Sequence, residues 1–169
     1  MAGKNIDQLR SDLSDAVRTF QDSVDALDQA VADHLRINRT DLRCLAVLLQ
    51  MGSASPGQLG TALKMTTGSV TAMLDRLEKL HYLSRSPDPD DRRKLRIKPT
   101  QKFTNMAAKV YEPLAQASGG SVSRYSREEL EILLTFLADG RKVQEDQLAR
   151  IQEMKSPPRV TKKGRGLDL

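Results

Sequence analysis

The sequence predicts a mainly α-helical protein with one small β-hairpin set into it. Three observations predict this class. Apolar residues recur at helical spacing through most of the 169 residues, and capping residues cut that pattern into separate helices. The period changes once, between Leu83 and Lys98, to a short alternation on either side of a turn rich in Pro and Asp.

The first segment carries Ile6, Leu9, Leu13, Val17, Phe20, Val24, Leu27, Val31 and Leu35, a spacing close to the 3.6 residues of a helical turn. A helix of that length spans roughly 45 Å. A small domain cannot cover so long a stripe, so much of it is expected to pack on another long helix, from this chain or a second copy. The next helix is expected to start after Thr40, as N-cap, and to run through Leu42, Leu45, Leu48 and Leu49 to Gly52. In SPGQLGTAL, Ser55 is a cap, Pro56 suits the first helical position, and Gln58 completes a capping box. That short helix should end near Lys64, and another opens at once in TTGSVTAMLDRLEKLHYL. There Val70, Met73, Leu74, Leu77 and Leu80 share one face, leaving Ser69, Thr71, Ala72, Arg76 and Lys79 elsewhere.

Leu83–Arg85 and Lys94–Lys98 read as two short strands, the second with Leu95 and Ile97 between three cations. Pro87 and Pro89 suit the turn between them. From Thr100 the helical period returns through Phe103, Met106, Ala107, Val110, Tyr111 and Leu114; Pro113 is expected to kink or end that helix, and Ser118–Ser121 to break it. A second capping box, Ser126 and Glu129, opens a last helix carrying Leu130, Leu133, Leu134, Leu137, Leu148 and Ile151. The domains that follow are an N-terminal helix over 1–37, a central lobe over 38–100, C-terminal helices over 101–155 and a basic tail over 156–169, expected to be disordered.

Charge is placed unevenly. Residues 41–103 hold eleven basic and six acidic residues, and the tail holds four and one, whereas 1–40 and 104–155 are each slightly acidic. A basic segment between acidic ones suits a module that meets a polyanion. Three helices with tight connections followed by a basic hairpin make a winged helix-turn-helix. Its third helix, exposing small polar side chains, can enter the major groove of double-stranded DNA, and the hairpin can reach the backbone or minor groove beside it. The candidate DNA-binding residues are therefore Thr67, Ser69, Thr71, Ala72 and Arg76 on that helix, with Arg92, Arg93 and Lys94 at the hairpin tip. In DPDDRRKLRIK, Asp91 is expected to hold one guanidinium so that the turn presents the other, while Asp88 and Asp90 form the turn in solvent.

The run from Asn38 to Thr100 resembles the MarR family of bacterial transcription regulators, chiefly through TTGSVTAMLDRLEKL and YLSRSPDPDDRRKLRIKPT with its Asp-Arg-Arg. The layout agrees over residues 5–155. The resemblance implies that the helix reads the major groove and that Arg93, with Arg92 beside it, enters the minor groove. It also implies a homodimer built from the first helix and the last two, bound to a pseudo-palindromic operator, and a repressor released by a small aromatic or phenolic ligand. The chain departs from the family's pattern at His81, where a Gly is usual, and in PTQKF, Pro99–Phe103, where Leu-Thr and a Gly are common. Ala72 stands where some relatives have a larger polar residue, and suggests a methyl contact to thymine or a looser readout.

Other functions find little support. There is no glycine-rich phosphate loop, no Cys/His metal spacing and no Ser-His-Asp arrangement, so neither an enzyme nor a cofactor is expected. Cys44 has apolar neighbours and reads as a core thiol rather than a redox sensor. The longest apolar run, Cys44–Leu49, is too short to span a bilayer, and the start has no signal-peptide core, so a cytoplasmic protein is expected. The rival readings are an architectural DNA binder without sequence preference and a winged-helix docking module for another protein.

Overall fold

The computed structural model describes residues 4–89 and 91–154, and the expected disorder of the tail lies outside them. The elements are α1 (Ile6–Leu35), α2 (Arg39–Met51), α3 (Pro56–Leu63), α4 (Thr67–Lys79), β1 (Leu83–Pro87), β2 (Leu95–Pro99), α5 (Gln101–Val122) and α6 (Arg127–Glu153). The chain divides into two units, 1–116 and 117–169, with the boundary inside α5. The expected class, mainly α with one antiparallel hairpin, is the observed one.

Most of the start signals act as their chemistry requires. Ser55 and Ser126 each accept a backbone N–H three residues on, while Gln58 and Glu129 reach back to the cap's own N–H. The start of α2 differs from expectation: Asn38, not Thr40, is its N-cap, and its Oδ1 accepts the Asp41 N–H at 2.8 Å. The earlier cap makes Asp41 the third helical residue, its N–H held by the cap and its carboxylate still in the first turn, where the helix dipole favours it. The helix α5 also differs from expectation, running through both Pro113 and the Ser118–Ser121 stretch to Val122. Proline removes one ladder bond of a 22-residue helix. Past the glycines the ladder continues, with the Ser123 N–H donating to the Gly119 carbonyl at 3.1 Å.

The core of the first unit lies where α2, α3 and α4 meet the hairpin. Leu45, Leu48, Leu59, Met73, Leu77 and Ile97 are completely buried, joined by Val31, Ala32 and Leu35 from the end of α1 and Phe103 and Ala107 from the start of α5. Cys44 belongs to this core, as its neighbours predicted. Burial pushes its thiol up to about 12, and the charge of Asp41 adds to the shift. The hairpin pairs Leu83 with Pro99 and Pro87 with Leu95, so β1 runs two residues longer than expected and β2 lies one residue further on. Ala54, between α2 and α3, adds a bridge to Ile97 with bonds of 3.0 and 2.8 Å, which fixes the hairpin root to the helices.

Several long apolar side chains are exposed among the described residues of each unit. Ile6, Leu9, Leu13 and Phe20 on α1 are exposed, as are Ile132, Leu134 and Leu137 on α6.

Candidate nucleic-acid interface

The corner between α3 and α4 is tight because of two residues. A Cβ on Gly60 would stand 3.4 Å from the Met65 carbonyl and 3.5 Å from Val70, and Lys64 turns the chain with a left-handed φ of 54°. From that corner α4 buries Val70, Met73, Leu74 and Leu77. What remains exposed is Thr67, Gly68, Ser69, Thr71, Ala72, Asp75 and Arg76, with Lys79 at the far end. The hydroxyls among them are partly engaged. Thr66 Oγ1 caps the Ser69 N–H and lies 2.9 Å from Ser69 Oγ, while Thr71 Oγ1 donates to the Thr67 carbonyl at 3.0 Å.

The two charged residues of the first three turns, Asp75 and Arg76, are both paired within the protein. Arg76 donates from Nη2 to Asp41 Oδ1 at 2.6 Å and from Nε to Oδ2 at 3.3 Å, a two-point clamp between α4 and α2. Asp41 is only 2% exposed, and it is the one buried charged side chain among the described residues. Its hydrogen bonds raise the pKa of Arg76 further above the ordinary guanidinium range. Asp75 accepts from Arg85 Nη2 at 2.5 Å, and Glu78 lies 3.4 Å from Arg85 Nε, too poorly aligned to bond it. Arg85 on β1 thereby ties the wing to the recognition-type helix.

At the hairpin tip Asp91 organises the turn. Its Oδ1 accepts the Arg93 backbone N–H at 3.1 Å and Arg93 Nε at 3.3 Å, and its Oδ2 lies 3.5 Å from Lys94 Nζ. The side chain of Arg93 is still 91% exposed, because the contact holds only its near nitrogen. Asp91 therefore steadies Arg93, while Arg92 is exposed and makes no ion pair among the described residues. Asp88 forms the turn as expected, its Oδ1 accepting the Asp91 N–H at 3.4 Å, but not in solvent: Arg96 donates to its Oδ2 from Nε at 3.0 Å and lies 2.9 Å away through Nη2, a pair that braces the hairpin. Leu95, expected with Ile97 on the covered face of a half-buried strand, is exposed, since β2 reaches the core only at Ile97. Asp90 lies outside the described residues.

The two departures at His81 and Lys102 meet behind this face. His81 takes a left-handed φ of 58°, the conformation a Gly would hold at no steric cost. Thr100 Oγ1 donates to the His81 carbonyl at 2.6 Å and accepts the Phe103 N–H at 3.2 Å, so it caps α5 and binds the end of α4 at once. Lys102 Nζ donates to the Leu80 carbonyl at 3.0 Å, over the Tyr82 ring. Tyr82, in turn, donates to the Leu35 carbonyl at 3.0 Å. The sequence marked this region as unusual without indicating those partners. Asp41, Asp75 and Arg85 were missed as contributors altogether; their partners lie 10 to 35 positions away, beyond any local pattern.

The candidate residues thus form two groups, Thr67, Ser69, Thr71, Ala72 and Arg76 on α4 and Arg92, Arg93 and Lys94 at the tip, linked through the Asp75–Arg85 pair. A helix-turn-helix followed by a basic antiparallel hairpin defines a winged helix-turn-helix protein. The MarR family model matches residues 37–95. An uncharacterised HTH-type transcriptional regulator of Bacillus subtilis, YcgE, is 34% identical over 125 residues, covering 74% of this chain and 81% of that protein. The chain belongs to the MarR family of transcriptional regulators. Its fold is similar to that of YusO from Bacillus subtilis, with a TM-score of 0.60 at 21% identity over 82% of this chain and 99% of that one. It is also similar to a mutant of E. coli MarR crystallised with operator DNA, with a TM-score of 0.52 at 20% identity over 80% and 98%. No helix among the described residues is long and apolar enough to cross a membrane.

Proposed function

We propose that the chain is a sequence-specific, double-stranded DNA-binding regulator that works in the cytoplasm as a homodimer, most simply as a repressor. The observation that carries this reading is the pair of exposed guanidiniums, Arg92 and Arg93, on a hairpin braced to α4 through Arg85. Thr67, Ser69, Thr71 and Ala72 face the major groove, and Arg92, Arg93 and Lys94 lie along the backbone or minor groove beside it. The E. coli relative bound to operator DNA supports the same use of the fold. The dimer is built by residues 1–37 and 101–155 around the central lobe 38–100, and the uncovered apolar side chains of α1 and α6 support that assignment. Two lobes then meet successive major grooves on a pseudo-palindrome.

Random-site selection with the full chain tests the reading. Recovery of a palindrome with half-sites about one helical turn apart is expected. Diffuse recovery turns the protein into an architectural binder, and no recovery into a docking module.

A second reading concerns release by a ligand. A cavity of about 480 Å³ in the first unit is lined by Asp28, Arg39, Leu42, Arg43, Met65 and Tyr111. Its volume, apolar wall and facing Arg and Tyr suit a small aromatic or phenolic compound. Arg39 already bridges α2 to Asp25 and Asp28 of α1, at 2.8 and 3.3 Å, so a ligand there competes with a contact between helices. A phenolic compound that weakens operator binding in wild type and not in an Arg39→Met variant is the expected result; equal effects on both remove the assignment.

A further inference from the structure

The first three turns of α4 expose two charges, Asp75 and Arg76, and neither is free; Lys79 stands exposed at the far end of the helix. Arg76 is the only cation on its first three turns, and both of its bonds to Asp41 are held on the protein side. Moving the guanidinium to a guanine would leave a carboxylate that is 2% exposed without its partner, which is strongly unfavourable. Asp75, the group able to accept from cytosine N4, is paired with Arg85. The side chains left to meet bases are three hydroxyl residues and one methyl: Thr67, Ser69, Thr71 and Ala72. Thr71 spends its hydroxyl proton on the Thr67 carbonyl, so its methyl is what it has left to offer.

Charged and amide side chains make the bidentate contacts to guanine, adenine and cytosine, whereas Ala and the Thr methyl match the C5 methyl of thymine. We propose that α4 selects thymine-bearing A·T pairs in each half-site by methyl contact, and that Asp41 sets this preference by holding Arg76 off the bases. The inference rests on α4 lying in the major groove. It differs from the sequence expectation for Arg76, which becomes a positioning residue for the helix rather than a base reader.

The test begins with the operator recovered by random-site selection with the wild-type chain. Each half-site thymine is then replaced singly by deoxyuridine, which removes one methyl and no hydrogen-bonding group. About a three- to fourfold loss of affinity at one or more of these positions is expected, the cost of exposing one buried methyl. Unchanged affinity at every position, with the palindrome still bound, overturns this inference and leaves the DNA-binding reading standing. Failure to recover any operator overturns both. The double variant Asp41→Asn with Arg76→Gln keeps a neutral hydrogen-bonded pair, and its selected base preferences are expected to match the wild type. Loss of a G·C preference in that variant shows Arg76 on a base and overturns the proposal.

Discussion

A carboxylate with 2% of its surface exposed needs a cation, and Asp41 finds one 35 positions away in Arg76. Truncating Asp41 to Ala removes the clamp between α2 and α4. The cost is expected to be roughly 2–3 kcal/mol, below that of a fully buried pair because the Arg76 side chain is 51% exposed and water can take over part of its solvation. Urea unfolding checks this; a loss under 0.5 kcal/mol contradicts the clamp. Cys44, one turn further on, offers a pH prediction. Burial raises its thiol from 9.0 to about 12, so the folded state keeps a proton that the unfolded state loses. The corresponding stability is complete below about pH 9 and is lost as pH rises through 12. At pH 8 the native thiol should resist iodoacetamide and react fully once unfolded; rapid native alkylation, read by mass spectrometry, would remove Cys44 from the core. The sequence suggested a buried thiol from its apolar neighbours. It held no sign of the Asp41–Arg76 pair, because ion pairs between helices depend on how faces meet.

At the scale of elements, local chemistry was legible and competition between signals was not. Both capping boxes, Ser55 with Gln58 and Ser126 with Glu129, are complete within four residues, so sequence and structure agree there. Asn38 and Thr40 offered two caps two positions apart, and Asn38 prevailed, its side chain accepting the Asp41 N–H. Pro113 and Gly119–Gly120 looked like stops, yet propensity is a weak prior, and α5 continues past them. The wing was legible through Pro87, Pro89 and the alternation around Ile97, but its bracing by Asp88–Arg96 and Arg85–Asp75 was not. The end of α4 offers a direct test of element geometry. His81 holds a left-handed φ of 58° that costs a side chain about 1–2 kcal/mol and a glycine almost nothing. Its structural bonds in this junction run through its backbone, so His81→Gly should raise stability by about 0.5–1 kcal/mol, part of the gain being offset by the freer unfolded chain. A melting temperature that falls on this substitution would mean the imidazole itself holds the junction.

For the whole molecule, the apolar side chains left uncovered on α1 and α6 call for a partner, and the proposed partner is a second copy. Sedimentation should give about twice 18.8 kDa at micromolar concentration, and Leu134→Glu with Leu137→Glu should shift the protein toward monomer and abolish binding to a palindrome while sparing the central lobe. A wild-type monomer that still binds the palindrome tightly would remove the homodimer. The central claim is that the exposed guanidiniums at the hairpin tip lie along a duplex probed by α4. It is tested most directly by titrating the selected operator across a salt series with wild type and with Arg92→Ala/Arg93→Ala. Binding by the wild type should fall steeply with salt; the double variant should bind more weakly, by about 1–3 kcal/mol or more, and its log–log slope should be shallower by one to two units. An affinity and a slope identical to the wild type's would place the nucleic acid elsewhere on the molecule and contradict the account.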